Sequence, residues 1–261
     1  FVYGLAMDEL DLKPYDMVQD SPVTIPLPSG ESYSPRNNDM AFWGQLTLHE
    51  ALANSRNVPA VWLAHKVGVD KLYHHFKKLK LGRLGRSMDY YGPGLALGLG
   101  SVTLLDLTRA YASIANGGRM LPLRLGRHGG REISYGQRKK SMEVNTAARL
   151  TYILADRDLR RRAFGERNFL DFPFEVAAKT GTSKDHIDSW TVGFTENYAV
   201  GVWLGNFSGQ GMYGVSGNWG AGRVFHQVMR LVADSNHRFD YPDDWRGVEL
   251  CRNSGRPVAT D

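Results

Sequence analysis

The sequence predicts a mixed α+β fold in which helices fill the middle of the chain and an antiparallel sheet follows them. Apolar residues recur at helical spacing through much of residues 47–162. After them, "FEVAAKTGT", "HIDSWTVGFT" and "YAVGVWLGN" are short β-rich runs separated by polar turns, the pattern of a meander. A composition of 42% hydrophobic and 23% charged residues over 261 positions suits a chain that buries a sizeable core, and excludes disorder.

In order along the chain, "FVYGLAMDEL" places Phe1, Leu5, Met7 and Leu10 at near-helical spacing with no capping residue ahead, so a helix entered midway is expected, in a chain that continues upstream. The stretch has no basic region or small-residue cleavage site and does not read as a signal peptide. Residues 11–47 are rich in Pro, Ser, Asn and Asp and read as an extended, turn-rich connection. At Thr47 a capping box with Glu50 opens the helix of "TLHEALANSRN". "NVPAVWLAHKVGVDKLYHHFKKLKLG" reads as one or two helices closed by Gly82, and "TLLDLTRAYASIANGG" as a helix ended by a glycine pair. A further helix is expected from about 146 to 162, and "AGRVFHQVMRLVAD" forms a last one after the meander. Residues 1–234 are thus expected to form one domain, and the polar, Pro-rich 235–261 a linker into a truncated C-terminal domain.

Several function classes fall away. A single cysteine, Cys251, rules out an internal disulfide framework and a cysteine-based zinc site. No apolar run approaches the ~20 residues that cross a bilayer. The net charge of +5 comes partly from "HHFKKLKLGRLGR" and "RDLRRRAFGER", read as solvated helix faces. Neither cluster accompanies a nucleic-acid motif, so no nucleic-acid partner is expected. Lys179-Thr180 is preceded by Ala178 where a phosphate-binding loop needs glycine. "GPGLALG" follows no apolar strand, so its glycines are read as aids to close packing. His74 and His75 are adjacent and point apart on a helix, and "DHID" lacks zinc-ligand spacing, so neither metal nor cofactor is expected. No serine stands in a G-x-S-x-G frame.

What remains is "KTGT", residues 179–182, on an expected strand, and "SRN", residues 55–57, at the end of an expected helix. In this order they resemble the second and third motifs of the penicillin-binding transpeptidases. The resemblance spans nearly the whole chain: "YSPRNND", "EALANSRNVPAVWL", "LGLGSVTLLDLTRAYASIANGG" and "AAKTGTSKDHIDSWTVGFTENYAVGVWLGN" look like the blocks of bifunctional, class A peptidoglycan synthases. The tail "GVELCRNSGRPVA" looks most like the 1C type.

The resemblance implies a β-lactamase/transpeptidase-like fold, an antiparallel sheet flanked by helices, with the N-terminal part of the fold missing. It implies a serine acyltransferase that cross-links peptidoglycan stem peptides ending in D-Ala-D-Ala and binds β-lactams. Ser55 would relay a proton to the leaving amine, Asn57 would hold the substrate's peptide amide, and Lys179 would supply a positive field. Thr180 and Thr182 would bind a terminal carboxylate, and Gly181 would let the substrate lie along the strand edge. The first motif of the family, S-x-x-K, carries the nucleophile, and no serine among the 261 residues has a lysine three positions later. In the family that motif lies just ahead of a segment like "KPFVY", so the resemblance places the nucleophile a few residues upstream of Phe1. It also implies an upstream glycosyltransferase, a membrane anchor and a site on the periplasmic, extracytoplasmic face. A β-lactamase is disfavoured, because "ERNFLD" is an imperfect E-x-x-L-N motif too close to Lys179. A catalytically silent peptidoglycan-binding or scaffold relative and a D,D-carboxypeptidase remain open from the residues alone.

Overall fold

The structure, a computed structural model, describes residues 1–27 and 30–242 and the single positions 245, 249, 251 and 258. Most of the expected C-terminal segment therefore lies outside the described residues. The helices are α1 (Val2–Leu10), α2 (Leu48–Ala53), α3 (Asn57–Val67), α4 (Val69–Leu79), α5 (Met88–Tyr91), α6 (Leu104–Ala115), α7 (Val144–Ala155), α8 (Arg157–Phe164) and α9 (Ala221–Val232). The strands are β1 (Met17–Asp20), β2 (Ile25–Pro26), β3 (Ser32–Tyr33), β4 (Gly44–Thr47), β5 (Arg119–Met120), β6 (Leu123–His128), β7 (Arg131–Tyr135), β8 (Lys139–Lys140), β9 (Ala177–Thr182), β10 (Asp188–Phe194) and β11 (Ala199–Gly205).

The expected meander is present as an antiparallel three-stranded sheet in the order β11-β10-β9, which leaves β9 at an edge. In its register Lys179 pairs with Val192 and Thr180 with Thr191. Successive side chains of a strand point to opposite faces, and two glycines identify what covers each face. A Cβ at Gly193 would meet Phe225 of α9 at 2.7 Å, whereas one at Gly201 would meet Thr108 of α6 at 2.0 Å. Gly201 pairs with Val192, the neighbour of Gly193, so the two glycines face opposite ways. The α9 face buries Phe172, Phe174, Val176, Ala178, Phe225 and Met229 in a small cluster, and the other face joins Ala177 and Phe194 to the main core.

That core is centred on α1, which is buried all round from Val2 to Met7 and packs against α3 and α7. A helix apolar on every side belongs in an interior, which accounts for the missing polar face of "FVYGLAM". Thr47 and Glu50 form the expected capping box: Thr47 N donates to Glu50 Oε2 at 2.8 Å and Glu50 N to Thr47 Oγ1 at 3.1 Å.

Several elements differ from the sequence expectations. The connection over residues 11–47 contains four short strands, with β1 paired to β4 and β2 to β3. The stretch read as one or two helices is two, broken at Gly68 (φ 103), and α4 ends on Lys80 in a left-handed conformation (φ 59) two residues before Gly82. The single helix expected over 146–162 is divided at Asp156, whose carboxylate turns to cap α8 by accepting from the N–H groups of Asp158 and Leu159, both at 3.0 Å. The β6–β7 hairpin and the β5–β8 pair were not anticipated, because their exposed basic residues show no apolar alternation. The cluster "RDLRRRAF" is not a fully solvated face either, since Arg160 is 3% exposed. Residues after α9 lie back on the domain: the carbonyl of His237 accepts from Glu175 N at 3.1 Å, and Phe239 packs edge-on against Phe194.

Candidate active site

The turn that carries "SRN" is dictated by the way α2 ends. Arg56 N donates to Ala51 O at 2.9 Å and Ser55 N to Leu52 O at 3.0 Å, the paired bonds of a Schellman motif. Such a motif needs its penultimate residue in the left-handed region, where glycine is usual, yet here that residue is Ser55 at φ 56. A serine held there against its backbone preference is typical of a site where the side chain is used.

Arg56 follows in extended conformation and caps α3, of which Asn57 is the first residue. Arginine has no acceptor to offer the first N–H groups of a helix. Asn37 takes that role from the connection, its Oδ1 accepting from Asn57 N at 2.9 Å and Val58 N at 3.2 Å. The side chain of Arg56 turns inward to Asp20 and Asp39 at 2.8 and 2.7 Å. The side-chain amide of Asn57 donates one N–H to Arg36 O at 3.0 Å.

From β9 the half-buried Lys179 extends toward this turn, and its ammonium donates to Ser55 Oγ at 2.6 Å and to Thr180 O at 2.8 Å. Desolvation, and after it the charge of Arg160, lowers the Lys179 pKa to about 8. Arg160 is itself buried, and its guanidinium donates to the carbonyls of Leu154 and Leu170 at 2.9 and 3.3 Å. Asp171 and Asp156 act on Arg160 without forming an ion pair with it among the described residues, whereas Arg56 is paired directly with two carboxylates. Arg160 therefore acts on the lysine where Arg56 does not.

The structure thus brings Ser55, Asn57 and Lys179 to one place. Strand alternation places the two threonines on the opposite face from Lys179, toward the loop that leads into α9. There Thr182 Oγ1 accepts from Gly217 N at 2.9 Å, which leaves its O–H proton free to donate, and Thr191 Oγ1 donates to Gly217 O at 2.8 Å. A Cβ at Gly217 would stand 2.8 Å from the Cβ of Thr180, so only glycine lets this loop approach the strand so closely. Gly181 lies over Trp190 Cβ, at 3.5 Å from where its own Cβ would be. No group of three or more potential ligands among the described residues is placed to hold a metal ion.

The residues missed by sequence reasoning are Asp20, Asn37, Asp39, Arg56, Arg160 and Gly217. The Asn- and Asp-rich "RNND" in a Pro-rich segment was the one local signal for any of them.

Relatives of known identity share this arrangement of elements. Residues 1–229 match the penicillin binding protein transpeptidase domain. The chain is 30% identical over 236 residues to penicillin-binding protein 1B of Vibrio cholerae, covering 87% of this chain and 29% of that protein. It is also 30% identical over 259 residues to penicillin-binding protein 1C of Escherichia coli, covering 97% of this chain and 31% of that protein. The chain therefore spans about three-tenths of the length of these relatives. In fold it is similar to penicillin-binding protein 1A of Haemophilus influenzae, with a TM-score of 0.71 at 18% identity, over 99% of this chain and 45% of that one. It is likewise similar to penicillin-binding protein A of M. tuberculosis, solved as an imipenem acyl-enzyme complex, with a TM-score of 0.64 at 21% identity over 88% of this chain and 57% of that one. With the motif residues gathered at the edge of a meander and the family matched from Phe1 to Met229, the chain belongs to the penicillin-binding protein transpeptidase family and has the β-lactamase/transpeptidase fold.

Proposed function

We propose that the chain forms the recognition and proton-relay part of a serine D,D-transpeptidase, in a class A peptidoglycan synthase that joins stem peptides ending in D-Ala-D-Ala. The observation that carries this reading is the 2.6 Å contact between Lys179 Nζ and Ser55 Oγ. A lysine with a pKa near 8 and a hydroxyl in direct contact can pass a proton at physiological pH.

In this reading the nucleophile is the serine of an S-x-x-K pair ahead of Phe1. The serine oxygen attacks the carbonyl carbon between the two D-alanines while its proton passes to the neighbouring lysine. The carbon–nitrogen bond then breaks, and the departing amine takes a proton through Ser55. An amine of a second stem peptide attacks the resulting ester, forms the cross-link and returns the serine. Asn57 holds the donor's peptide amide, and the positive field of Lys179 and the hydroxyls of Thr180 and Thr182 receive its carboxylate at the β9 edge. A substrate lying along that edge would add a strand.

A β-lactam would enter the same way, its ring amide opening to an ester whose leaving nitrogen stays tethered. The imipenem and ceftriaxone complexes recorded for the M. tuberculosis relative support this. Its substrate places the protein on the extracytoplasmic face of the membrane, held by an anchor outside these residues. The test is labelling of the full-length protein by a fluorescent penicillin. Replacing Lys179 by alanine removes a charged hydrogen bond and slows labelling about 10- to 100-fold. An unchanged rate would refute this role.

A further inference from the structure

The turn between Ser55 and Asn57 is held by residues outside the set that would receive the substrate. Arg56 is 5% exposed. Its three donor groups go to three partners: Nε to Asp20 at 2.8 Å, Nη1 to Asp39 at 2.7 Å and Nη2 to the carbonyl of Ala41 at 2.5 Å. Asp20 has no exposed surface, and its second oxygen accepts from Asn37 Nδ2 at 2.6 Å. The ring of Trp43 lies 4.1 Å from the Arg56 guanidinium, and Trp43 N donates to Asp20 Oδ2 at 3.1 Å. Asn37 in turn caps α3 by accepting from Asn57 N, and its neighbour Arg36 accepts from the Asn57 side chain.

We infer that Asp20, Asn37 and Arg56 form a clamp that fixes segment 36–41 against the turn, and that this clamp aims the Asn57 amide at the acylamide of the donor substrate. The inference rests on the transpeptidase reading and names what positions its amide-binding residue. An asparagine amide has two N–H groups and one carbonyl, and holding a peptide amide takes one of each. With one N–H committed to Arg36 O, the amide can present the remaining N–H and its carbonyl in a single orientation. Segment 36–41 has no helix or strand of its own; beyond its own turn bonds, from Met40 N to Asn37 O and from Ala41 N to Asp39 Oδ1, the clamp is what ties it to the turn. Lysine could not take the place of Arg56, because a single ammonium cannot span two carboxylates and a carbonyl with the reach of a planar fork. The three are positioning residues, since none is assigned a contact with the reacting atoms.

The test compares two acylating agents on the full-length protein: benzylpenicillin, which carries an acylamide, and the penicillin nucleus with a free amine in its place. Arg56→Lys keeps the charge and Asn37→Ala keeps the arginine pairs, so the two variants disturb the clamp at different points. A melting curve confirms the fold of each. The clamp predicts that the ratio of the benzylpenicillin rate to that of the amine falls about tenfold in the variants, because only the acylamide uses Asn57. A merely structural role would lower both rates together and leave the ratio unchanged, overturning the inference while the functional reading stands. A wild-type protein that neither compound labels would overturn the functional reading, and the clamp's role with it.

Discussion

Ser55 receives a hydrogen bond from Lys179 while standing at φ 56, in a left-handed conformation that suits glycine. The two facts predict opposite effects of one substitution. Ser55→Gly relieves the backbone and is expected to raise stability by roughly 0.5–1 kcal/mol while acylation falls. Ser55→Ala keeps the unfavourable backbone and loses the hydroxyl, so it lowers acylation with no such gain. Urea midpoints and penicillin labelling on the same pair of variants check both.

The pH dependence of acylation follows from Lys179. Its charged form donates to Ser55, and desolvation with the charge of Arg160 brings its pKa to about 8. The rate is therefore expected to decline as pH rises through about 8, where the ammonium is lost. Arg160→Met removes a neighbouring positive charge, raises the lysine's pKa and moves that decline to higher pH. A pH profile of labelling that does not shift in Arg160→Met would show that the arginine does not act on the lysine.

Stability responds to the same group with a definite sign. The folded pKa of Lys179 lies below the ~10.4 of an unfolded lysine. Between those values the unfolded chain binds more protons, so this group's contribution rises with pH across that window. Lys179→Met is expected to abolish the rise, leaving a flatter profile of denaturant midpoint against pH on the alkaline side.

Gly217 is predicted to be intolerant of any side chain. A Cβ there meets Thr180 Cβ at 2.8 Å and Gly181 O at 2.9 Å. Gly217→Ala is expected to cost roughly 1–3 kcal/mol and to weaken acylation by displacing the loop that holds Thr182. Thermal melting and labelling measure the two effects.

What could be read in the sequence was what local pattern encodes. The capping box at Thr47, the meander and the helical spacing of α1 follow from patterns within a few residues. The "SRN" and "KTGT" motifs were legible only as a pair, and their meeting across 124 positions is a product of the fold. Arg56 was passed over because its partners lie 36 and 17 residues away and no periodicity links them. Arg160 sat in a run of arginines that reads as a solvated face, and its burial depends on the break at Asp156 that the helical pattern did not reveal. The opposite facing of Lys179 and the threonines follows from strand alternation, but its meaning needed the loop at Gly217.

The central claim is that these residues recognise the substrate and relay a proton while the attacking serine comes from an S-x-x-K pair ahead of Phe1. Intact-mass spectrometry after incubation with benzylpenicillin tests it, on the 261-residue chain and on the chain extended upstream. The account predicts one covalent adduct on the extended protein and none on the chain alone. A stoichiometric adduct on the 261-residue chain, mapped to Ser55 or another of its serines, would contradict it.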